Sequence, residues 1–114
     1  MLLLNHKKLN VYNKCIDLVS EIYDLTKSFP SNEKFGLVSQ LRRSAISIPS
    51  NIAEGSSRKT AKERKRFYEI SRSSLVELDT QIGITQKLGY LSHRQTTKLE
   101  ALANEVFAML SAMI

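Results

Sequence analysis

Tryptophan is absent from the sequence, cysteine occurs once, proline twice and glycine four times among 114 residues. Cys15 alone cannot close a disulfide within the chain, and its place on the apolar side of a helix suits a packed thiol better than a reactive one. A reducing cytoplasm fits. No Pro/Gly/Ser-rich stretch separates two halves, so residues 1–114 read as a single domain. The apolar opening Met1–Leu4 is far shorter than a signal-peptide core or the ~20 residues that span a bilayer, so no targeting or anchoring segment is expected. Alternating apolar and polar runs of strand type are missing, as are Asn-Gly and Asp-Gly hairpin signals.

Signatures of chemistry are missing as well. There is no glycine-rich phosphate loop, no metal-ligand spacing and no nucleophile elbow, and His6 and His93 stand at the starts of different segments. The carboxylates are scattered beside lysines and arginines, and Tyr68 with Glu69 reads as surface and not as an acid/base pair. No catalysis, metal or cofactor is expected, which leaves binding and assembly.

What is present is enough apolar material for one core, 42% hydrophobic against 25% charged residues, patterned for helices. Leu9, Tyr12, Ile16, Val19, Ile22 and Phe29 recur at intervals near three and four, predicting a first helix that ends at Phe29-Pro30. Ser31 can cap a second helix, with Glu33 in its first turn and Gly55 as a left-handed stop. A third starts at Thr60, whose spacing to Glu63 is that of a capping box; its stripe runs Phe67, Ile70, Ser74, Leu78, Ile82, Thr85, Leu88, and Gly89 ends it. Ser92 and Gln95 open a fourth, followed by Leu99, Leu102, Val106, Met109/Leu110 and Met113. Helices of about 20 residues are ~30 Å long, and short loops turn each back along the last. The expected fold is therefore all-α, an antiparallel up-down-up-down four-helix bundle. A DNA-reading helix-turn-helix would need shorter helices.

The second helix is apolar beyond one core face. Leu37, Leu41, Ala45, Ile48 and Ile52 form one stripe, and Val38, Ile46, Pro49 and Ala53 widen it to roughly half the circumference, more than the ~100° a bundle face needs. The extra stripe either packs on a neighbouring helix or stays partly exposed, as lone apolar residues often do, or it forms a self-association surface of Val38, Ile46, Pro49 and Ala53, with Arg42 pairing an acidic residue across the contact. Pro49 removes a backbone donor and should kink this helix or end it; a kink fits better, because the apolar phase continues through Ile52 and Ala53.

The formal charge of +6 is local. From Arg42 to Arg72 there are nine basic and three acidic residues, and elsewhere eight of each cancel. Between Arg58 and Arg66 six of nine residues are basic, at a helix N-terminus, where each exposed cation opposes the dipole by ~0.3–1 kcal/mol. A bound polyanion would turn that penalty into a benefit. Lys62, Lys65 and Arg66 face away from the core stripe, Arg58 and Lys59 precede the helix, and Arg72 continues the outer surface, whereas Arg64 falls nearer the core edge. The competing reading is a solvated face that only maintains solubility. Lipid is a poor match, since no Trp/Phe/Leu face is interleaved with the cations.

The stretch Gln40-Leu41-Arg42-Arg43-Ser44-Ala45-Ile46-Ser47-Ile48-Pro49-Ser50-Asn51-Ile52-Ala53-Glu54-Gly55 resembles the signature of a bacterial family, the four-helix-bundle proteins encoded within 23S rRNA intervening sequences. Phe67-Tyr68, Arg72-Ser73-Ser74-Leu75, Glu77-Leu78-Asp79-Thr80-Gln81 and Leu88-Gly89-Tyr90-Leu91 also fit, although Ser73 stands where many members carry glycine. The resemblance implies a homopentameric ring with a basic surface, and a relation to the accessory variability determinant of diversity-generating retroelements, which partners a reverse transcriptase. The expected function is thus a non-enzymatic oligomer holding structured RNA, in preference to DNA, or an RNA/cDNA intermediate. Phosphate contacts from Arg58, Lys59, Lys62, Lys65, Arg66 and Arg72 would carry it, with little sequence specificity. The rival is a scaffold whose basic face docks an acidic partner protein such as a reverse transcriptase.

Overall fold

Side chains satisfy loose backbone groups at some of the helix boundaries. The computed structural model describes Met1–Ile114 and contains four α-helices: α1 (Asn10–Thr26), α2 (Leu37–Ser56), α3 (Ala61–Lys87) and α4 (Thr97–Ala112). Short 3₁₀ turns lie at Asn5–Lys8 and Ser31–Glu33. Thr60 Oγ1 accepts the Glu63 backbone N–H at 3.1 Å and starts α3. Ser92 and Gln95 cap one another, Gln95 N donating to Ser92 Oγ and Ser92 N to Gln95 Oε1, one turn ahead of α4. Gly89, at φ +82°, reverses the chain after α3, and the Tyr90 and Gly89 amides close onto the Thr85 and Gln86 carbonyls.

Two expectations about α2 fail. Ser31 opens a 3₁₀ turn instead of capping the helix, and Glu33 Oε1 takes the Leu37 amide at 3.4 Å where α2 begins. Gly55 does not stop α2; it lies within the helix, and a Cβ there would stand 2.9 Å from Phe67 Cβ and from Tyr68 Cε1. The residue is needed for a close crossing of α2 and α3, not for a left-handed turn. Pro49 is also inside α2, which runs on through it, so the alternative of a helix ending there does not hold.

Cross-helix ties fix the direction of the helices. Partner numbers fall as residue numbers rise: Lys14 pairs with Glu105 and Glu21 with Lys98 between α1 and α4, while Ser44 Oγ reaches Gln81 and Ser71 Oγ reaches the Ile48 carbonyl between α2 and α3. Arg72 meets Ser111 on α4, and Gln86 meets Thr96 just ahead of it. Neighbouring helices are therefore antiparallel, and the molecule measures 44 × 27 × 19 Å. No helix is long and apolar enough to cross a membrane.

The core gathers Cys15, Leu18, Ile22, Leu41, Ala45, Ile48, Ile52, Leu75, Leu78, Leu99, Val106 and Leu110. Burial pushes the Cys15 thiol up from 9.0 to about 12, so it stays protonated at neutral pH. The expected stripes hold only in part on two helices: Ile22, Leu78 and Thr85 are buried, and Leu9, Tyr12, Val19, Phe29 and Ile82 pack at the edge of the core, but the fully buried rows are shifted. On α1 the buried row is Val11, Cys15, Leu18, Ile22, with Ile16 exposed; on α3 it is Tyr68, Ser71, Leu75, Leu78, Gln81, Thr85, with Ile70 and Leu88 exposed. Polar members of the α3 row are satisfied: Ser71 by Ile48, Gln81 by Ser44, Thr85 by the Ile82 carbonyl. Ser73 faces solvent, so a side chain there obstructs no helix contact.

Candidate nucleic-acid interface

The connection from α2 to α3 is four residues long and is held by its own chain. Ser57 N and Arg58 N donate to the Glu54 and Gly55 carbonyls, and Ser57 Oγ donates to Glu54 O at 2.7 Å. Arg64 then reaches back one turn, its Nη1 donating to the carbonyls of Arg58 (3.1 Å) and Lys59 (3.0 Å). The Arg58 guanidinium lies 4.7 Å from the centre of the Phe67 ring. Two of the cations are thus fixed by backbone and aromatic contacts, and Arg64 acts as the clamp of the loop.

Arg58, Lys59, Lys62, Lys65 and Arg66 are all exposed. The ion pairs of the molecule, Lys14–Glu105, Lys27–Asp24 and Lys98–Glu21, involve none of them. Their electrostatic setting differs in part from the sequence expectation. Arg58 and Lys59 follow the C-terminus of α2, where partial negative charge favours a cation, so the unfavourable dipole of α3 acts mainly on Lys62, Lys65 and Arg66. Glu63 and the Thr60 cap offset part of it.

Helix lengths bring these cations to an outer position. α3 has 27 residues and α4 has 16, roughly 40 and 24 Å, and their ties lie at Arg72–Ser111 and Gln86–Thr96. The turns before about Tyr68 therefore extend past the last turn of α4. Arg72 is elsewhere: its Nη1 donates to Ser111 Oγ at 3.1 Å and its guanidinium lies over Phe107, tying α3 to α4 and leaving the loop cluster to the other five.

Sequence reasoning overlooked Lys7 and Lys8. The 3₁₀ turn that carries them precedes α1, packs against α2, and lies at the pole where α2 ends and α3 begins, because α1 and α2 are antiparallel. His6 is buried beside Tyr12, and both lysines are exposed. Only the direction of the first helix in the bundle could have signalled this.

The outer face of α2 is changed most by the structure. Val38 and Pro49 are buried within the single chain, Ala53 is half-buried, and of the expected self-association residues Ile46 is the exposed apolar one. Arg42, expected to pair with a carboxylate of another copy, donates from Nε to Thr26 Oγ1 at 3.0 Å and stacks 4.3 Å over the Tyr23 ring. Phe35, just ahead of α2 and 89% exposed, was not anticipated.

No curated protein matches the chain. The family described as 23S rRNA-intervening sequence protein matches residues 7–112, which takes in all four α-helices, the Arg58–Arg66 segment, and Lys7 and Lys8 at the end of the first 3₁₀ turn. The chain belongs to the 23S rRNA-intervening sequence protein family.

Proposed function

We propose that the protein is a non-enzymatic, cytoplasmic homo-oligomer that holds structured RNA through phosphate contacts at the pole formed by Arg58, Lys59, Lys62, Lys65 and Arg66, with Lys7 and Lys8 alongside. The observation that carries this reading is a set of exposed cations without intramolecular ion-pair partners, on a clamped loop and the protruding turns of α3. The family description, which names an intervening sequence of 23S rRNA, supports RNA as the polymer. Contacts of this type position a polyanion without reading its bases, and each releases counterions.

The test is affinity for a structured RNA as a function of salt, for the parent and for K62E/K65E/R66E. The parent should lose affinity steeply with salt. Removing three phosphate contacts should lower the slope of log K against log salt by about 2 to 3 and weaken binding uniformly across sequences. Unchanged affinity in the triple variant sinks the proposal. RNA-free parent that instead co-purifies with an acidic protein would favour the scaffold reading.

A further inference from the structure

Three arginines of the chain lie over aromatic rings, and one of them is left free to meet a ligand. Arg42 lies 4.3 Å from the centre of the Tyr23 ring and donates to Thr26 Oγ1; Arg72 lies 5.7 Å from that of Phe107 and donates to Ser111 Oγ. Arg58, 4.7 Å from the centre of the Phe67 ring, is exposed, belongs to no ion pair and gives no side-chain hydrogen bond to the chain. Its main chain is fixed on both sides: the amide donates to the Gly55 carbonyl at 3.0 Å, and the carbonyl accepts from Arg64 Nη1 at 3.1 Å. The ring beneath is fixed as well. Phe67 is half-buried where α3 crosses Gly55, and the hydroxyl of the adjacent Tyr68 lies 3.1 Å from Ser56 Oγ. Lys59 and Arg66 are the chain neighbours of the pair, and both are exposed.

We infer that Arg58, laid over Phe67, is a stacking platform for an unpaired RNA base, so that the basic pole prefers loops, bulges and strand ends to continuous duplex. A guanidinium is planar and weakly hydrated, so its outer face takes a base while its edge N–H groups reach a flanking phosphate. A lysine offers the charge without the plane, which leaves Lys59, Lys62 and Lys65 as phosphate contacts. Within a duplex each base is covered above and below by its neighbours, and an unpaired nucleotide is the one that presents a free face. Because the Arg58 backbone and the Phe67 ring are held before RNA arrives, little further ordering opposes the contact. Such a platform accepts any base, so the discrimination it gives is between RNA structures and not between sequences.

This inference rests on the RNA binding of the proposed function and adds the kind of RNA that the site selects. The affinity of the full chain is measured for a perfect duplex and for the same duplex carrying a short bulge, at several salt concentrations, with circular dichroism to verify folding. The parent should favour the bulged RNA by ~10-fold or more, the order that stacking one base on a side chain contributes. R58K retains the charge and loses the plane, so it should abolish most of that preference and leave the salt slope on the duplex unchanged. F67L, which removes the ring beneath, should reduce the preference in the same way. K62Q/K65Q should weaken both RNAs equally, lower the slope and keep the preference. A parent that binds the two RNAs alike, or an R58K chain that keeps the preference or loses affinity for both equally, overturns the platform while leaving phosphate binding standing. A parent that binds neither RNA even in dilute salt overturns both readings.

Discussion

Two glycines of the same chain invite opposite outcomes on substitution, and the difference lies in what faces each. At Gly55 an added methyl meets the Phe67 and Tyr68 side chains at 2.9 Å, so Gly55→Ala should force α2 from α3 and destabilise by about 1–3 kcal/mol. At Gly83 nothing is near, and Gly83→Ala should stabilise the helix by up to ~1 kcal/mol. Urea denaturation of both variants measures this, and equal effects would refute the close crossing. Arg42, Arg64 and Arg72 show a related contrast among cations. Each is committed to an internal partner, Thr26, the loop carbonyls and Ser111 respectively, whereas Lys62, Lys65 and Arg66 are not.

At the scale of elements, the start of α3 depends on a single hydroxyl. Thr60→Ala should cost about 1 kcal/mol and lower the thermal midpoint, while Thr60→Ser should be close to neutral, since only the acceptor oxygen is used. Such punctuation was legible in the sequence at Thr60 and Gly89, which act as expected, whereas Ser92 and Gln95 form the reciprocal bonds their spacing allows but do so a turn ahead of α4, whose N-cap is Thr96. Helical phase was less so. Ile16, Ile70 and Leu88 are apolar but face out, and Ser71, Gln81 and Thr85 are polar but buried, because burial is decided by the helix opposite and a satisfied hydroxyl packs as well as a methyl. Gly55 was misread for the same reason; its neighbours Phe67 and Tyr68 follow twelve and thirteen residues later. The candidate site was legible where its cations are contiguous. It was not where topology joins Lys7 and Lys8 to them or where Arg42 and Arg72 find remote partners.

The whole molecule divides along its long axis. One pole carries the clamped loop, the basic turns of α3 and the lysines before α1, and the other half carries two grooves, one beside Phe35 and one beside Gly83. The projection of α3 past α4 also determines where the bundle opens first. Its leading turns are braced by the end of α2 but not by α4, so their amides should exchange with deuterium well before those of residues 75–85, which are walled in on more sides. A polyanion seated across Lys62, Lys65 and Arg66 would slow that exchange selectively. Footprinting the amides with and without RNA thus locates the ligand even where affinity is too weak to isolate a complex, and protection confined to the opposite pole would contradict the assignment.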